Sequence, residues 1–123
     1  MRPRSEKLNV LFEDNHLLVV NKPPLLPTMG VKEGELSLLS QSRQYIKKKY
    51  NKPGNVFLGL PHRLDRPTTG IVVLAKTGKV LPRLNKLFQT RDEVSKTYWA
   101  VVNKRPVKHT DTLTHYLVKN QDK

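Results

Sequence analysis

Gly59-Leu60-Pro61-His62-Arg63-Leu64-Asp65-Arg66-Pro67-Thr68-Thr69-Gly70 runs directly into Ile71-Val72-Val73-Leu74-Ala75-Lys76. A histidine, two arginines and a carboxylate stand together between two apolar segments, Phe57 to Leu60 and Ile71 to Ala75, that read as strands. Pro67 fixes its own φ and pushes Arg66 towards extended backbone, so the segment cannot continue as helix. Because Pro67 has no N–H, Asp65 lacks the donor two residues on that an Asx-turn would use. A carboxylate without its local partner, on a stiff loop between strands, is a candidate for chemistry.

Upstream, Val10 to Glu13 and His16 to Lys22 read as a hairpin turning at Asp14-Asn15, since both residues tolerate left-handed backbone. Leu17 to Val20 does not alternate, which predicts a strand covered on both faces. Pro23-Pro24 ends it. Ser37 is the expected N-cap of a helix that turns Leu38, Leu39, Tyr45 and Ile46 to the core and ends in Lys47-Lys48-Lys49. Downstream, Val80, Leu84, Leu87 and Phe88 recur at helical spacing, with Pro82 tolerable in the first turn. Lys79, Arg83, Lys86 and Arg91 would form a basic outer face. Thr97 to Val102 is rich in β-branched and aromatic residues, and Thr110 to Val118 reads as one more strand. The expected class is α+β, a mixed, largely antiparallel sheet with flanking helices.

With 123 residues the chain has the size of one domain, residues 1–8 being expected to form a flexible N-terminal segment. Its 23 Lys and Arg against 10 Asp and Glu leave a formal charge of +13, so a polyanion, and nucleic acid first, is the expected partner. No apolar run reaches the roughly 20 residues that span a bilayer, so no membrane role is expected, and a cytoplasmic location is the default. The absence of cysteine excludes disulfides, thiolate catalysis and Cys-type zinc sites within these residues.

His62-Arg63-Leu64-Asp65 is not a protein-kinase catalytic loop: the spacing carries an extra leucine, and neither an Asp-Phe-Gly nor a Gly-rich phosphate loop accompanies it. His109, Asp111 and His115 would share one face of a strand, but nothing near them resembles a further ligand, and no metal is expected.

The string His62-Arg63-Leu64-Asp65, two positions, Thr68, a hydroxyl residue, Gly70, an apolar strand and Ala75-Lys76 resembles the signature of pseudouridine synthases of the RluA type. Three further stretches resemble that family in the same order: Glu13 to Pro23, Thr77 to Phe88, and Lys96 to Val102. The resemblance runs from about residue 9 to 118. It departs at Thr69, where the family usually has serine. A Thr-Gly-Arg…His-Gln-Ile-Arg segment, which supplies the family with sheet strands and a basic partner for its aspartate, is absent from this sequence. Residues 9–123 therefore resemble the N-terminal part of such a catalytic domain.

The resemblance implies isomerisation of uridine to pseudouridine in structured RNA, ribosomal or transfer, without metal or cofactor. It implies that Asp65 acts at the ribose, as nucleophile on C1′ or as base on the sugar. Tyr98 would stack on the uracil and help remove the C5 proton. His62, Arg63 and Arg66 would contact RNA around the flipped base. Lys47, Lys48, Lys49, Lys79, Arg83 and Lys86 would supply salt-dependent backbone affinity. The alternative is a truncated or degenerate synthase that binds RNA and does no chemistry.

Overall fold

The computed structural model describes residues 7–30, 32–90 and 92–120. Most of the segment expected to be flexible, residues 1–6, lies outside that range, as does Arg91. Five elements follow in the order β1 (Asn9–Glu13), β2 (Leu17–Lys22), α1 (Leu38–Lys49), β3 (Gly70–Ala75) and α2 (Leu81–Gln89). The strands form one antiparallel sheet in the order β1-β2-β3, so the class is α+β as expected.

The β1–β2 hairpin turns where Asp14 makes an Asx-turn. Its Oδ1 accepts from the main-chain N–H groups of His16 and Leu17, both at 2.7 Å. A register shift between Val10 and Phe12 marks a bulge in β1. Ser37 caps α1: its hydroxyl accepts from the Ser40 N–H, and the Ser40 hydroxyl accepts from the Ser37 N–H, a serine version of the capping box. Pro82 sits in the first turn of α2, where its missing N–H has no intrahelical partner to lose.

Leu38, Leu39 and Ile46 of α1 pack on Leu18 and Val20 of β2 and Val72 and Leu74 of β3, with Leu26, Leu58 and Leu64 completing the core. That packing covers one face of β2. On its other face Leu17 and Val19 are half-buried and Asn21 is exposed, so β2 is not covered on both sides as its apolar run predicts. Continuous hydrophobicity reports what a strand can bury, not which neighbours arrive to bury it.

Glu13 organises the end of the molecule away from the Asp65 loop. Its carboxylate, with a side chain 8% exposed, accepts from Tyr45 Oη at 2.7 Å, Lys49 Nζ at 2.8 Å, Tyr50 Oη at 2.6 Å and Lys76 Nζ at 2.7 Å. Burial alone would push the Glu13 carboxyl up, but these four bonds outweigh it and hold the group well below the usual carboxylate range. β1, the C-terminal turn of α1 and the residue after β3 thus meet on one charge. The Tyr45 ring packs against the core as expected, while its hydroxyl is committed to this carboxylate.

Three expected strands take another form. Phe57 to Leu60 contributes a single bridge, Gly59 with Ala75. Residues 97–102 and 110–118 form no ladder among the described residues and are exposed throughout. β-branched and aromatic composition favours a pleated, half-buried surface, yet a strand exists only where a second backbone offers its N–H and C=O groups. Among the described residues none stands beside these segments.

Candidate active site

The loop carrying Asp65 is held from beneath by three contacts, and each begins with a local choice in the sequence. Pro23-Pro24 ends β2 and sends the chain back under the loop. The first free N–H groups of α1 are docked on that return, Leu38 to the Pro27 carbonyl at 2.8 Å and Leu39 to the Thr28 carbonyl at 2.9 Å. The buried Thr28 hydroxyl then donates to the Leu64 carbonyl at 2.6 Å and accepts the Leu64 N–H at 3.1 Å. Leu64 fills the core, so its neighbours Arg63 and Asp65 are turned outward.

The second contact is Lys22, whose residue is 0% exposed. Its ammonium donates to the carbonyls of Leu26 at 2.7 Å, Arg66 at 2.9 Å and Pro23 at 3.0 Å. Three donors meet three acceptors, which is what a buried ammonium requires. Burial pushes the Lys22 ammonium down, and the negative charge of Asp65 opposes that shift. The third contact is Leu25, in left-handed backbone at φ 69°, whose N–H also donates to the Arg66 carbonyl at 2.9 Å. The loop closes on itself through the Thr68 N–H and the Asp65 carbonyl, at 2.9 Å, across Pro67. Asp65 is therefore an exposed side chain on a backbone fixed from below. Its carboxylate makes no hydrogen bond or ion pair with the described residues.

His62 faces inward. Its Nε2 accepts the Val73 N–H at 3.0 Å, where a neighbouring strand would otherwise place a carbonyl, and its ring stacks on Phe88 with centroids 4.3 Å apart and planes at 11°. Burial, with a smaller push from Lys96, brings the imidazole down to about 4, so the ring is neutral at pH 7. With Nε2 as acceptor, Nδ1 carries the proton.

A cleft of about 710 Å³ opens beside the loop, bounded by Leu64, Pro67, Thr68, Thr69 and Gly70 on one side and by Lys96, Tyr98 and Trp99 on the other. Tyr98 is 59% exposed and Trp99 97% exposed. The fold thus brings Tyr98 to the cleft that the loop borders. No acidic side chain lines it, while Lys96 stands over the Phe88 ring at 5.3 Å.

The remaining expected contacts are spread more widely. Arg63 is exposed and makes no hydrogen bond with the described residues. Arg66 pairs through Nη2 with Glu35 at 2.7 Å. Lys49 is tied to Glu13, whereas Lys47 and Lys48 on the same helical turn are exposed. Lys79, Arg83 and Lys86 are exposed along the start and outer face of α2. Among the described residues no three His, Asp or Glu side chains converge to hold a metal ion, so His109, Asp111 and His115 are not brought together as ligands. No described helix is long and apolar enough to cross a membrane.

Lys22, Thr28, Phe88 and Lys96 support or line the site, and none stands out in the sequence as a site residue. Lys22 had one available signal: a lysine at the end of an apolar run, immediately before two prolines, has nowhere to snorkel. Thr28 and Phe88 become visible only when distant segments meet.

The chain is similar to known proteins over most of its length. A sequence model of a family described as RNA pseudouridylate synthase matches residues 16–123. A mitochondrial pseudouridylate synthase of Bos taurus is 38% identical over 98 residues, covering 80% of this chain and 26% of that protein. A ribosomal large subunit pseudouridine synthase C of Buchnera aphidicola is 37% identical over 95 residues, covering 77% of this chain and 28% of that protein. An RNA pseudouridine synthase of Zymomonas mobilis, uncharacterised, is 34% identical over 110 residues, covering 89% of this chain and 48% of that protein. The structure of human RNA pseudouridylate synthase domain containing 4 superposes with a TM-score of 0.58 at 33% identity, over 68% of this chain and 30% of that one. The chain thus spans between about a quarter and a half of the length of these relatives.

Proposed function

Because the chain belongs to the RNA pseudouridylate synthase family, in its RluA-type branch, we propose that the protein isomerises uridine to pseudouridine in structured RNA. The observation that carries this reading is the Asp65 loop: a carboxylate without a side-chain partner, on a backbone pinned by Lys22, Leu25 and Thr28, beside the cleft that Tyr98 enters.

In the proposed reaction the N1–C1′ bond breaks as Asp65 engages the ribose, either by attack at C1′ or by taking a sugar proton. The carboxylate suits both routes, since carboxylates are the usual partners of oxocarbenium-like sugars. The freed uracil turns and C5 bonds to C1′, which releases the Asp65 carboxylate on the first route and is accompanied by return of the sugar proton from Asp65 on the second. The C5 proton then leaves with help from Tyr98, and N1 ends protonated. Atoms and electrons balance within the nucleotide, so the isomerisation calls for no redox partner. A rigid loop suits this chemistry, because a mobile carboxylate would have to be ordered again at each turnover.

A uridine inside folded RNA must leave its stack to reach the cleft, at a cost of a few kcal/mol. In this reading Arg63 fills the vacated stack or holds a phosphate, and its exposure beside Asp65 supports that role. Lys47, Lys48, Lys79, Arg83 and Lys86 supply backbone affinity, with Arg66 and Lys49 already engaged by Glu35 and Glu13. Ribosomal RNA is the first target to try, as the name of the Buchnera relative carries it, with transfer RNA second.

The test is carbodiimide-probed primer extension on total RNA incubated with the wild type and with Asp65→Asn. Stops at discrete uridines with the wild type, and none with the variant, are expected. Equal stops from both would remove Asp65 from the mechanism. RNA binding without any stops from the wild type would favour a protein that binds RNA and does no chemistry.

A further inference from the structure

A second hollow, of about 330 Å³, shares Thr69 as a wall with the Tyr98 cleft. Asn9 and Asn21, directly opposite each other in the β1–β2 register, line it together with Gln41 of α1 and Lys7. Its volume is at the lower end of the range that holds small organic ligands. The stem of Lys22 contributes to its lining, while the ammonium is committed to its three carbonyls.

The chemistry of this hollow differs from that of the surface around it. Arg66, in the neighbouring loop, is bonded to Glu35, whereas the side chains of Lys7, Asn9, Asn21, Gln41 and Thr69 make no hydrogen bond with the described residues. Three carboxamides offer both donors and acceptors, the combination that reads a base edge. No carboxylate lines either hollow, so nothing there repels a phosphate. Lys7 is exposed at the rim, its ammonium unpaired among the described residues.

We propose that this hollow is a second nucleotide subsite, which takes the base of a residue adjacent to the target uridine and reads it through Asn9, Asn21 and Gln41. The shared wall at Thr69 makes the two hollows neighbours along one RNA strand. Adenine is the preferred base, because its N6 with N1 and its N6 with N7 offer a donor–acceptor pair on each of two edges. Two carboxamides can each bind it with two hydrogen bonds, whereas cytosine offers one such edge, N4 with N3. Lys7 holds the connecting or outer phosphate. The proposal rests on the larger cleft being the uridine site and adds a local sequence preference to it.

Side-chain amide signals of the ¹⁵N-labelled chain, together with Tyr98 ring signals, provide the test. The probes are uridine monophosphate, the dinucleotides ApU and UpA, and their cytosine counterparts CpU and UpC. At least one adenine dinucleotide is expected to shift the Asn21 and Gln41 amides and to bind about tenfold more tightly than its cytosine counterpart, the discrimination a good bidentate base contact supplies. Gln41→Leu on half-buried helix and Asn21→Thr on exposed strand should remove most of that difference and leave uridine monophosphate affinity unchanged. Amides that stay still while Tyr98 responds, or equal affinity for adenine and cytosine dinucleotides, would overturn the subsite and leave the uridine cleft standing. Uridine monophosphate that leaves Tyr98 and Thr69 unmoved would count against the uridine cleft instead. In that case no response of the amides to any dinucleotide would overturn both.

Discussion

The Nζ of Lys22, wholly buried at the end of β2, donates to the main-chain carbonyl of Arg66 at 2.9 Å, across a separation of 44 residues. That bond joins the Asn21-Lys22-Pro23 stretch to the loop of Asp65. Lys22→Met keeps the length of the stem and removes the ammonium, leaving the Pro23 and Leu26 carbonyls without this donor and the Arg66 carbonyl with the Leu25 N–H alone. We expect a loss of roughly 2–4 kcal/mol in urea unfolding, the range for losing charged hydrogen bonds while leaving buried acceptors unpaired. A loss within about 0.5 kcal/mol, the scale of an ordinary surface substitution, would mean that water replaces the ammonium freely.

Glu13→Gln probes the opposite end of the molecule. The amide keeps the shape of the carboxyl but not its charge, and it faces Lys49 and Lys76 at once. A destabilisation of about 1–3 kcal/mol at pH 7 is expected. The wild-type carboxyl is held below its usual range, so its contribution is complete above about 4.5 and declines as pH falls through that value towards the lowered one. Melts of Glu13→Gln should therefore lose less stability than wild type between pH 5 and the acid limit, and parallel acid profiles would contradict the hub.

His62 makes a separate acid-labile contribution. Unfolded, it takes a proton near 6.5; folded, only near about 4, because burial and Lys96 disfavour the cation. The unfolded state binds the extra proton between those values, so stability falls as pH drops from about 6.5 to about 4. His62→Gln retains an acceptor for the Val73 N–H and cannot titrate. The wild type should lose roughly 1–3 kcal/mol more than this variant across that window, a range set by the energy of a pKa unit. Equal losses would show that the imidazole is not held neutral.

Gly70 opens β3 opposite Lys22 at φ +143°, a conformation that side chains rarely adopt. Gly70→Ala has room, the nearest atom being Leu64 Cδ1 at 3.5 Å, so the expected penalty is backbone strain of about 1–3 kcal/mol. Because that strain falls at the end of the Asp65 loop, faster amide exchange at Thr68 should accompany the lower midpoint. An unchanged midpoint would argue that β3 can start without this turn.

RNA affinity should fall steeply with salt if Lys47, Lys48, Lys79, Arg83 and Lys86 contact phosphates. Each phosphate neutralised on a single strand contributes about −0.7 to the slope of log K against log salt. Replacing Lys79, Arg83 and Lys86 by Gln should flatten that slope by about two, whereas Lys49→Gln, which removes a partner of Glu13, should leave it nearly unchanged. A salt-independent wild type would remove the role of these cations in binding.

The hairpin, the Ser37 cap, the two helices and the strand after Gly70 are set by local rules: turn residues, capping hydroxyls, and periodicity of 2 or 3.6. All of them can be read along the chain. The ordered motifs around Asp65 likewise point to the family before any coordinate is known. Tertiary structure alone decides what surrounds them. It ends the strand character of residues 97–102, since a strand needs a second backbone beside it. It turns His62 inward and commits the Tyr45 hydroxyl and the Lys49 ammonium to the Glu13 hub. Most of all it gives Asp65 its setting. Pro67 explains why the carboxylate lacks a local partner, but the rigidity of its loop comes from Lys22, Leu25 and Thr28. Those residues lie 37 to 43 positions away in sequence, and only folding brings their donors beneath it.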